Sequence, residues 1–250
     1  MTDTTKLTCP ICKGDDFKQP QLSREQLAAA SKDWQPEHPY LECVECGLWV
    51  QPNPPPKRFE SSAEEGQRKE IVLREHQSHA RFVWNHVEMF GVPGSVLEIG
   101  CSYPIILSLF KSMGSFTVLG IDGSSSAEKW GEELGVPVMK SDFLARDKAG
   151  LSNYDLTIMM HVIEHFTDPQ EAFERLVSFT RPEKHIFLRT PLNDTVGIAT
   201  YHMMDYHYEV HPVVFGTKAL RIMERNAKVK MVRWHVADEI GHGDFWFQRS

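Results

Sequence analysis

The sequence predicts an α/β protein whose mostly parallel sheet is preceded by a small four-cysteine unit. Three observations predict it. Two C-x-x-C pairs lie close to the N-terminus, a proline-rich stretch follows them, and from Ser95 onward short apolar runs alternate with helical stretches. A chain of 250 residues is long enough for one α/β domain with a small appendage. With 41% hydrophobic and 24% charged residues, it is neither an extended disordered chain, a collagen-like repeat nor a compact disulfide framework.

The four-cysteine unit rests on spacing. Cys9-Pro10-Ile11-Cys12 and Cys43-Val44-Glu45-Cys46 are separated by 30 residues. Each C-x-x-C turn puts two thiolates on one side of a backbone knuckle, and two knuckles can close a tetrahedron around Zn²⁺. Gly47 suits the positive φ that often follows such a turn. With cysteine at all four positions no coordination site is left for water, so the expected role is structural. The N-terminus is polar and lacks the apolar core of a signal peptide, and the longest uncharged apolar run, Leu156 to Met160, is far too short to cross a bilayer. The expectation is a cytosolic chain whose thiols stay reduced.

Gln51-Pro52-Asn53-Pro54-Pro55-Pro56 reads as a stiff linker. It sets the expected organisation: a zinc-ribbon-like domain over 1–56, a helical lead-in over 57–94 and the α/β domain over 95–250. Ser61 and Ser62 with Glu64 and Glu65 form a capping-box signature for a helix running to Phe90, where Gly91-Val92-Pro93-Gly94 stops it. Val72, His76, His79, Val83, His86 and Phe90 share one stripe, whose histidines read as packed groups. Strands are expected at Ser95–Ile99, Phe116–Ile121, Val136–Met139, Tyr154–Met160 and His185–Leu188, with closing strands near Val229–Val236 and Asp244–Gln248. Helices are expected over Pro104–Met113, Ser124–Leu134, Pro169–Phe179 and Thr217–Asn226.

Open α/β sheets bind ligands at the carboxyl ends of their strands. The first such end carries Glu98 in the strand and Gly100 in the turn, followed by Cys101 and Ser102. The second ends on Ile121-Asp122-Gly123, with a carboxylate suited to ribose hydroxyls. Ser141-Asp142-Phe143 follows the third and offers a carboxylate and a ring suited to an adenine. Cys101 reads as a small residue beside the turn rather than a nucleophile.

Four of these strings, Val96-Leu97-Glu98-Ile99-Gly100-Cys101, Gly120-Ile121-Asp122, Ser141-Asp142-Phe143 and Tyr154-Asp155-Leu156, stand in a telling order. With His161-Val162-Ile163-Glu164-His165-Phe166 and Asp168-Pro169, the stretch from Ser95 to Ser250 resembles the class I S-adenosylmethionine-dependent methyltransferases. The last string is similar to that of the ubiquinone-type and small-molecule subgroup. A four-cysteine unit ahead of such a domain is similar to the arrangement in deoxysugar C-methyltransferases. The resemblance implies a Rossmann-like sheet of seven strands, the last antiparallel, and methyl transfer from a sulfonium. It would assign Glu98 and Gly100 to the amino-acid end of S-adenosylmethionine, Asp122 to the ribose, and Asp142 with Phe143 to adenine. Ser102 and Gly123 complete the two turns, and His161 lines the cofactor and acceptor sites. The family's G-x-G-x-G turn reads Gly100-Cys101-Ser102-Tyr103-Pro104 here, so only the first glycine is kept.

Two histidine groups remain. His161-Val162-Ile163-Glu164-His165 also matches the H-x-x-E-H pattern of inverted zinc peptidases, but that chemistry needs a long helix, and this string follows a strand and is broken by Asp168-Pro169. The segment from Tyr201 to His211 is rich in polar aromatics and follows the fifth strand. A histidine is well suited to act as general base there, and His161, His207 and His211 are the candidates. His211 best matches the place where the family carries a histidine. The expected acceptor is a small molecule: a sugar, an aromatic or another metabolite. A net charge of −7, and 7 basic against 9 acidic residues in the first 60, argue against nucleic acid and an anionic membrane. An RNA methyltransferase gripping RNA through the ribbon, and a non-catalytic binding protein, are the alternatives.

Overall fold

A computed structural model describes residues 7–29, 40–54, 62–74, 76–145, 153–197, 211–237 and 241–250. In chain order its elements begin with β1 (Phe17–Lys18), α1 (Arg24–Ala29), β2 (Leu41–Cys43), β3 (Trp49–Val50), α2 (Ser62–Arg74) and α3 (His76–Phe90). Next come β4 (Ser95–Ile99), α4 (Ile105–Ser112), β5 (Thr117–Asp122), α5 (Ala127–Leu134), β6 (Val138–Lys140) and β7 (Tyr154–Met160). A 3-10 turn (Ile163–His165) leads to α6 (Pro169–Phe179), β8 (Thr180–Pro191), β9 (Val213–Val214), α7 (Thr217–Asn226), β10 (Val229–Ala237) and β11 (His242–Arg249). Seven strands form a mixed sheet in the order β10-β11-β8-β7-β4-β5-β6, its last strand antiparallel, and four short strands form a second sheet, β1-β2-β3-β9.

The chain divides into two compact units. One comprises Met1–Lys57, His161–Glu174 and Leu188–Phe247; the other comprises Arg58–Met160, Arg175–Phe187 and Gln248–Ser250. In the second unit β4 runs parallel to β5 and β7, with Ile99 opposite Ile121 and Met159. Parallel strands are covered on both faces and so read as continuous apolar runs. Val96, Leu97, Leu156, Ile158 and Met159 are fully buried, which is why β4 and β7 match their sequence expectations residue for residue.

The expected long helix is described as two segments, α2 and α3, and the stripe of α3 is buried at His79, Phe82, Val83 and His86. Phe82 packs its ring 4.2 Å from Phe187 and edge-on to Phe110. Burying a phenylalanine side chain stabilises by roughly 1.5–3 kcal/mol, so this contact anchors the helix to the sheet. Strand β8 is far longer than the four residues expected. Its first four residues, Thr180-Arg181-Pro182-Glu183, have no apolar periodicity; polar pairing holds them instead. The Thr180 and Thr157 hydroxyls lie 2.7 Å apart and Arg181 Nη1 donates to Asp155 at 3.0 Å.

In the first unit, β2 pairs antiparallel with β1 and β3, and β3 pairs with β9 through Trp49–Val214 and Val50–Val213. Tyr40, Trp49 and Val214 form a buried cluster with Leu22 against it. The four-cysteine segment is therefore built into the same unit as the C-terminal strand β9.

His86 is buried against Phe90, Phe110 and His185. Burial, helped by His185, pushes its pKa down to about 3. His185 is shifted down too, by burial and then by Lys184. As pH falls below the ordinary histidine value of about 6.5, the unfolded chain takes up protons that the folded chain refuses. Stability is therefore expected to decline steadily as pH drops below that value toward His86's folded pKa. Thermal midpoints followed from about pH 7 to about pH 5 should fall in the wild type, and His86→Leu should flatten the decline.

Candidate functional site

At the carboxyl ends of β4 and β5 two turns meet on one carboxylate. Asp122 Oδ2 accepts from the Ser102 N–H at 2.8 Å and Oδ1 from the Ser124 N–H at 2.7 Å. The Gly100 N–H donates to Ile121 O at 2.7 Å. Gly100 has φ +68° and Ser102 φ +45°, so serine holds the left-handed conformation that a glycine adopts freely. Cys101 follows the same tight geometry: a Cβ on Gly120 would lie 2.5 Å from its Sγ, so only glycine at 120 admits the thiol. Burial, then Asp122 and Glu98, push the Cys101 thiol well above the usual range, leaving it a neutral packing group.

Glu98 lies beneath these turns, 4% exposed. Burial, reinforced by Asp122, raises its pKa well above the usual carboxylate range. Three buried oxygens here have no hydrogen-bond partner: Glu98 Oε2, Ser102 Oγ and Ser124 Oγ. Buried polar atoms are normally satisfied, so three together mark a place for a ligand rich in donors. Tyr103 closes one side, its ring 6.1 Å edge-on from Trp130 with Lys69 Nζ 4.7 Å above it, and Lys69 pairs with Glu133. Asp142 is exposed, accepting from the Leu144 N–H at 3.0 Å. Phe143 turns inward, its ring near Phe179 and the Arg175 guanidinium.

A second group lies in the other unit. His161 follows β7 with φ +53°, a strained conformation for a histidine, and its N–H donates to Arg189 O at 2.9 Å. Arg189 is itself gripped by Asp244 through two bonds of 2.5 and 2.7 Å. Glu164, 1% exposed, accepts from the Thr190 hydroxyl at 3.2 Å and faces His161 Nδ1 at 3.5 Å. The rings of His165 and His211 meet edge to face at 4.6 Å, and those of His161 and His242 at 4.5 Å. Donor atoms of Glu164, His165 and His211 fall within 4.8 Å of one another, a set that can share a proton or hold a cation.

The four N-terminal cysteines form a third group. Cys9 and Cys46 sulfurs are 3.5 Å apart and those of Cys12 and Cys43 3.4 Å apart, all four converging within 4.8 Å. A hydrogen bond from Cys46 lowers the Cys9 pKa to about 5, and burial pushes Cys12 up to about 12.

The description "Methyltransferase domain" fits the chain over residues 74–250. The chain belongs to the methyltransferase-domain family. No curated protein matches it significantly. Among solved structures, it is similar to magnesium protoporphyrin IX methyltransferase from Synechocystis PCC 6803 with bound S-adenosylhomocysteine: 17% identity, 78% of this chain and 90% of that one, TM-score 0.57. A SAM-dependent methyltransferase from Archaeoglobus fulgidus shares 15% identity over 72% of this chain and 99% of that one, TM-score 0.59. The N-methyltransferase NodS from Bradyrhizobium japonicum WM9 shares 14% over 70% and 87%, TM-score 0.52. These likenesses carry the fold.

In this methyltransferase the structure brings Glu98, Gly100, Ser102, Asp122 and Gly123 to adjoining strand ends and leaves Asp142 exposed after β6. Phe143 gives its ring to the interior. His161 and His211 both lie in the other unit, while His207 is outside the described residues. Sequence reasoning missed Ser124, whose signal is a serine two residues after a strand-end aspartate, a spacing that favours an Asx turn. It also missed Thr190, which nothing in the sequence ties to Glu164.

The left-handed Ser102 gives a direct test. Ser102→Gly should keep stability or raise it by up to about 1 kcal/mol, because glycine relieves the φ strain. Ser102→Val, β-branched at the same φ, should lose roughly 1–3 kcal/mol in chemical denaturation.

Proposed function

We propose that this methyltransferase moves a methyl group from S-adenosylmethionine to a small-molecule acceptor and that its cysteine unit holds a structural zinc ion. The observation that carries the cofactor reading is the trio of orphaned buried oxygens at the β4 and β5 turns. An ammonium group and ribose hydroxyls are the donors such oxygens lack. Glu98 and the Gly100 turn would take the amino-acid end. Asp122, whose oxygens each keep a second lone pair after accepting one N–H, would take the ribose with Ser124. Asp142 and the Gly123 turn would flank the adenosine, with Phe143 shaping that region from behind.

Bound S-adenosylmethionine supplies an electrophilic methyl, so the protein has to align the acceptor and remove its proton. His211 is the proposed base, with His161 and His207 as further candidates on the acceptor side. The Glu164 carboxylate stabilises whichever histidine of its group carries the proton. The acceptor class draws on net charge −7, and on solved neighbours that include a magnesium protoporphyrin IX methyltransferase and a plantazolicin methyltransferase in complex with a desmethyl analogue. Among the described residues no helix is long and apolar enough to cross a membrane.

For the cysteines, Zn–S bonds of about 2.3 Å would set sulfur–sulfur edges near 3.8 Å, and contacts of 3.4 and 3.5 Å need only a slight expansion. One observation favours an RNA acceptor as a second reading. From Lys218 to Arg233 the chain carries six Lys or Arg against one Glu, and Trp234 beside them is 53% exposed. A gel shift with single-stranded RNA at physiological salt decides between the two: tight binding would move the acceptor to RNA.

Calorimetry with S-adenosylmethionine tests the cofactor site. Asp122→Ala should weaken binding at least tenfold, about 1.4 kcal/mol. Ser124→Ala removes a hydroxyl without a protein partner, so it should weaken binding several-fold while leaving the melting midpoint in place. Wild-type protein that binds no S-adenosylmethionine would sink the reading. Metal analysis should find one zinc per chain, lost in Cys46→Ser together with a lowered melting midpoint.

A further inference from the structure

The cysteine unit does more than stabilise its own fold: its two strand ends converge on the backbone of His211. We infer that Tyr40 and Gln51 are positioning residues for His211, fixing the histidine through its carbonyl. Tyr40 immediately precedes β2, which ends on Cys43; Gln51 immediately follows β3, which begins three residues after Cys46. The two residues thus flank the second cysteine knuckle at the far ends of the strands that carry it. Antiparallel pairing of β3 with β9 then brings Gln51 alongside the residues that lead into β9.

Three hydrogen bonds complete the arrangement. The Tyr40 hydroxyl donates to His211 O at 2.6 Å and Gln51 Nε2 donates to the same oxygen at 3.0 Å. The Gln51 N–H donates to Pro212 O at 2.9 Å. Both lone-pair directions of the His211 carbonyl are therefore used by side chains from one small sheet. Tyr40 is fully buried, Gln51 6% exposed and His211 4% exposed, so water cannot readily replace either donor. Pro212 restricts the backbone on the following side, because its ring fixes φ. The His211 backbone has little freedom left, and its ring lies edge to face with that of His165 at 4.6 Å.

The inference deepens the proposed acceptor-side role of His211 and rests on it for its functional meaning. The knuckle Cys43–Cys46 turns the chain between β2 and β3, with the Cys43 N–H donating to Leu48 O at 2.9 Å and the Gly47 N–H to Cys43 O at 2.8 Å. Loss of the metal would loosen this turn and so shift both donors. The proposed zinc, where bound, would thereby help to hold the strand ends that place His211.

The test needs no acceptor. In ¹⁵N-labelled, zinc-loaded full-length protein, the His211 imidazole is followed by long-range proton–nitrogen correlation and assigned by its loss in His211→Asn. Tyr40→Phe and Gln51→Met should keep their zinc and their far-ultraviolet circular dichroism. Both should nevertheless shift or broaden the His211 signals and lose the cross-relaxation between the His165 and His211 rings. Stripping the metal with a thiol reagent and chelator should produce the same change. Unaltered His211 signals and an intact His165–His211 contact in both variants would overturn the inference. So would a parallel loss of S-adenosylmethionine affinity in both, which would mark a global rather than a local effect. The two readings fail separately: wild-type protein without affinity for S-adenosylmethionine defeats the cofactor reading and leaves the histidine signals free to report positioning.

Discussion

The carboxylate of Asp122 is the constraint on which the cofactor side depends. A parallel strand that ends in a turn exposes backbone N–H groups that the ladder no longer satisfies, and burial makes them costly. Here the β4 turn and the β5 turn each send one N–H to a different oxygen of the same side chain. That shared acceptor fixes the separation of the turns, and the rest follows. Ser102 holds its positive φ while its N–H donates to Oδ2, and its hydroxyl is buried. Cys101 is carried against β5, where Gly120 makes room for its sulfur. A second acidic group beneath them, Glu98, is buried and, with Asp122 adding to the effect, its carboxyl is raised well above its ordinary range. The arrangement leaves three buried oxygens open around Asp122, a polar lining suited to a ligand that carries an amino group and sugar hydroxyls.

The other unit depends on a comparable convergence of backbone donors and acceptors, anchored by Asn193. Its amide donates to Gly47 O at 2.8 Å and to Val214 O at 3.3 Å, joining the second cysteine knuckle to β9. Gly216 lies so near that a Cβ there would sit 2.8 Å from Asn193 Oδ1. Asn226 makes a similar link from the end of α7 to Ile11 O, inside the first knuckle. A metal unit usually stabilises a small fold that lacks a core of its own. In this chain the cysteine unit is instead tied by side-chain amides to β9 and α7, so a metal bound there as proposed would brace those elements as well.

How much of this was readable in advance follows from what each element is made of. Strands β4 and β7 and helices α6 and α7 could be bounded to the residue or nearly so, because buried parallel strands and amphipathic helices write their burial into apolar spacing. The strands of the small sheet could not: with two or three residues apiece, β1, β2, β3 and β9 show no period at all. The start of β8 was hidden for a related reason, since threonine hydroxyls and an Arg181–Asp155 pair hold it. At the proposed cofactor side, the placement of Asp122 and Gly100 at strand ends was legible from the apolar runs that precede them. The inward turn of Phe143 was not, because an aromatic residue beside an aspartate reads the same whether its ring faces a ligand or the core. The link from Tyr40 and Gln51 to His211 spans 160 residues or more and involves a carbonyl, which every residue possesses and no sequence pattern can single out.

The departure at the glycine turn shows how a sequence can lose a motif and keep its shape. Of three positions that the family fills with glycine, only Gly100 remains, yet each replacement meets a distinct requirement. At the second, Ser102 accepts the left-handed φ at a cost of roughly 1–3 kcal/mol, offset by the charge-assisted bond of its N–H to Asp122. At the third, Pro104 stands at the start of α4 with φ −79°, close to the value its ring imposes, where an absent N–H leaves nothing unsatisfied. Tyr103 between them fills the volume that a slimmer turn would leave open, packing on Trp130 beneath Lys69. Lys69 in turn pairs with Glu133, so the turn ties α2 to α5. A turn of small flexible residues has been exchanged for one stiffened by a proline, a buried ring and an ion pair. Such stiffness favours a ligand whose shape the turn already matches, because less ordering entropy is lost on binding. The chain has given up the adaptability of glycine for preorganisation at the place where the cofactor's amino-acid end is proposed to lie.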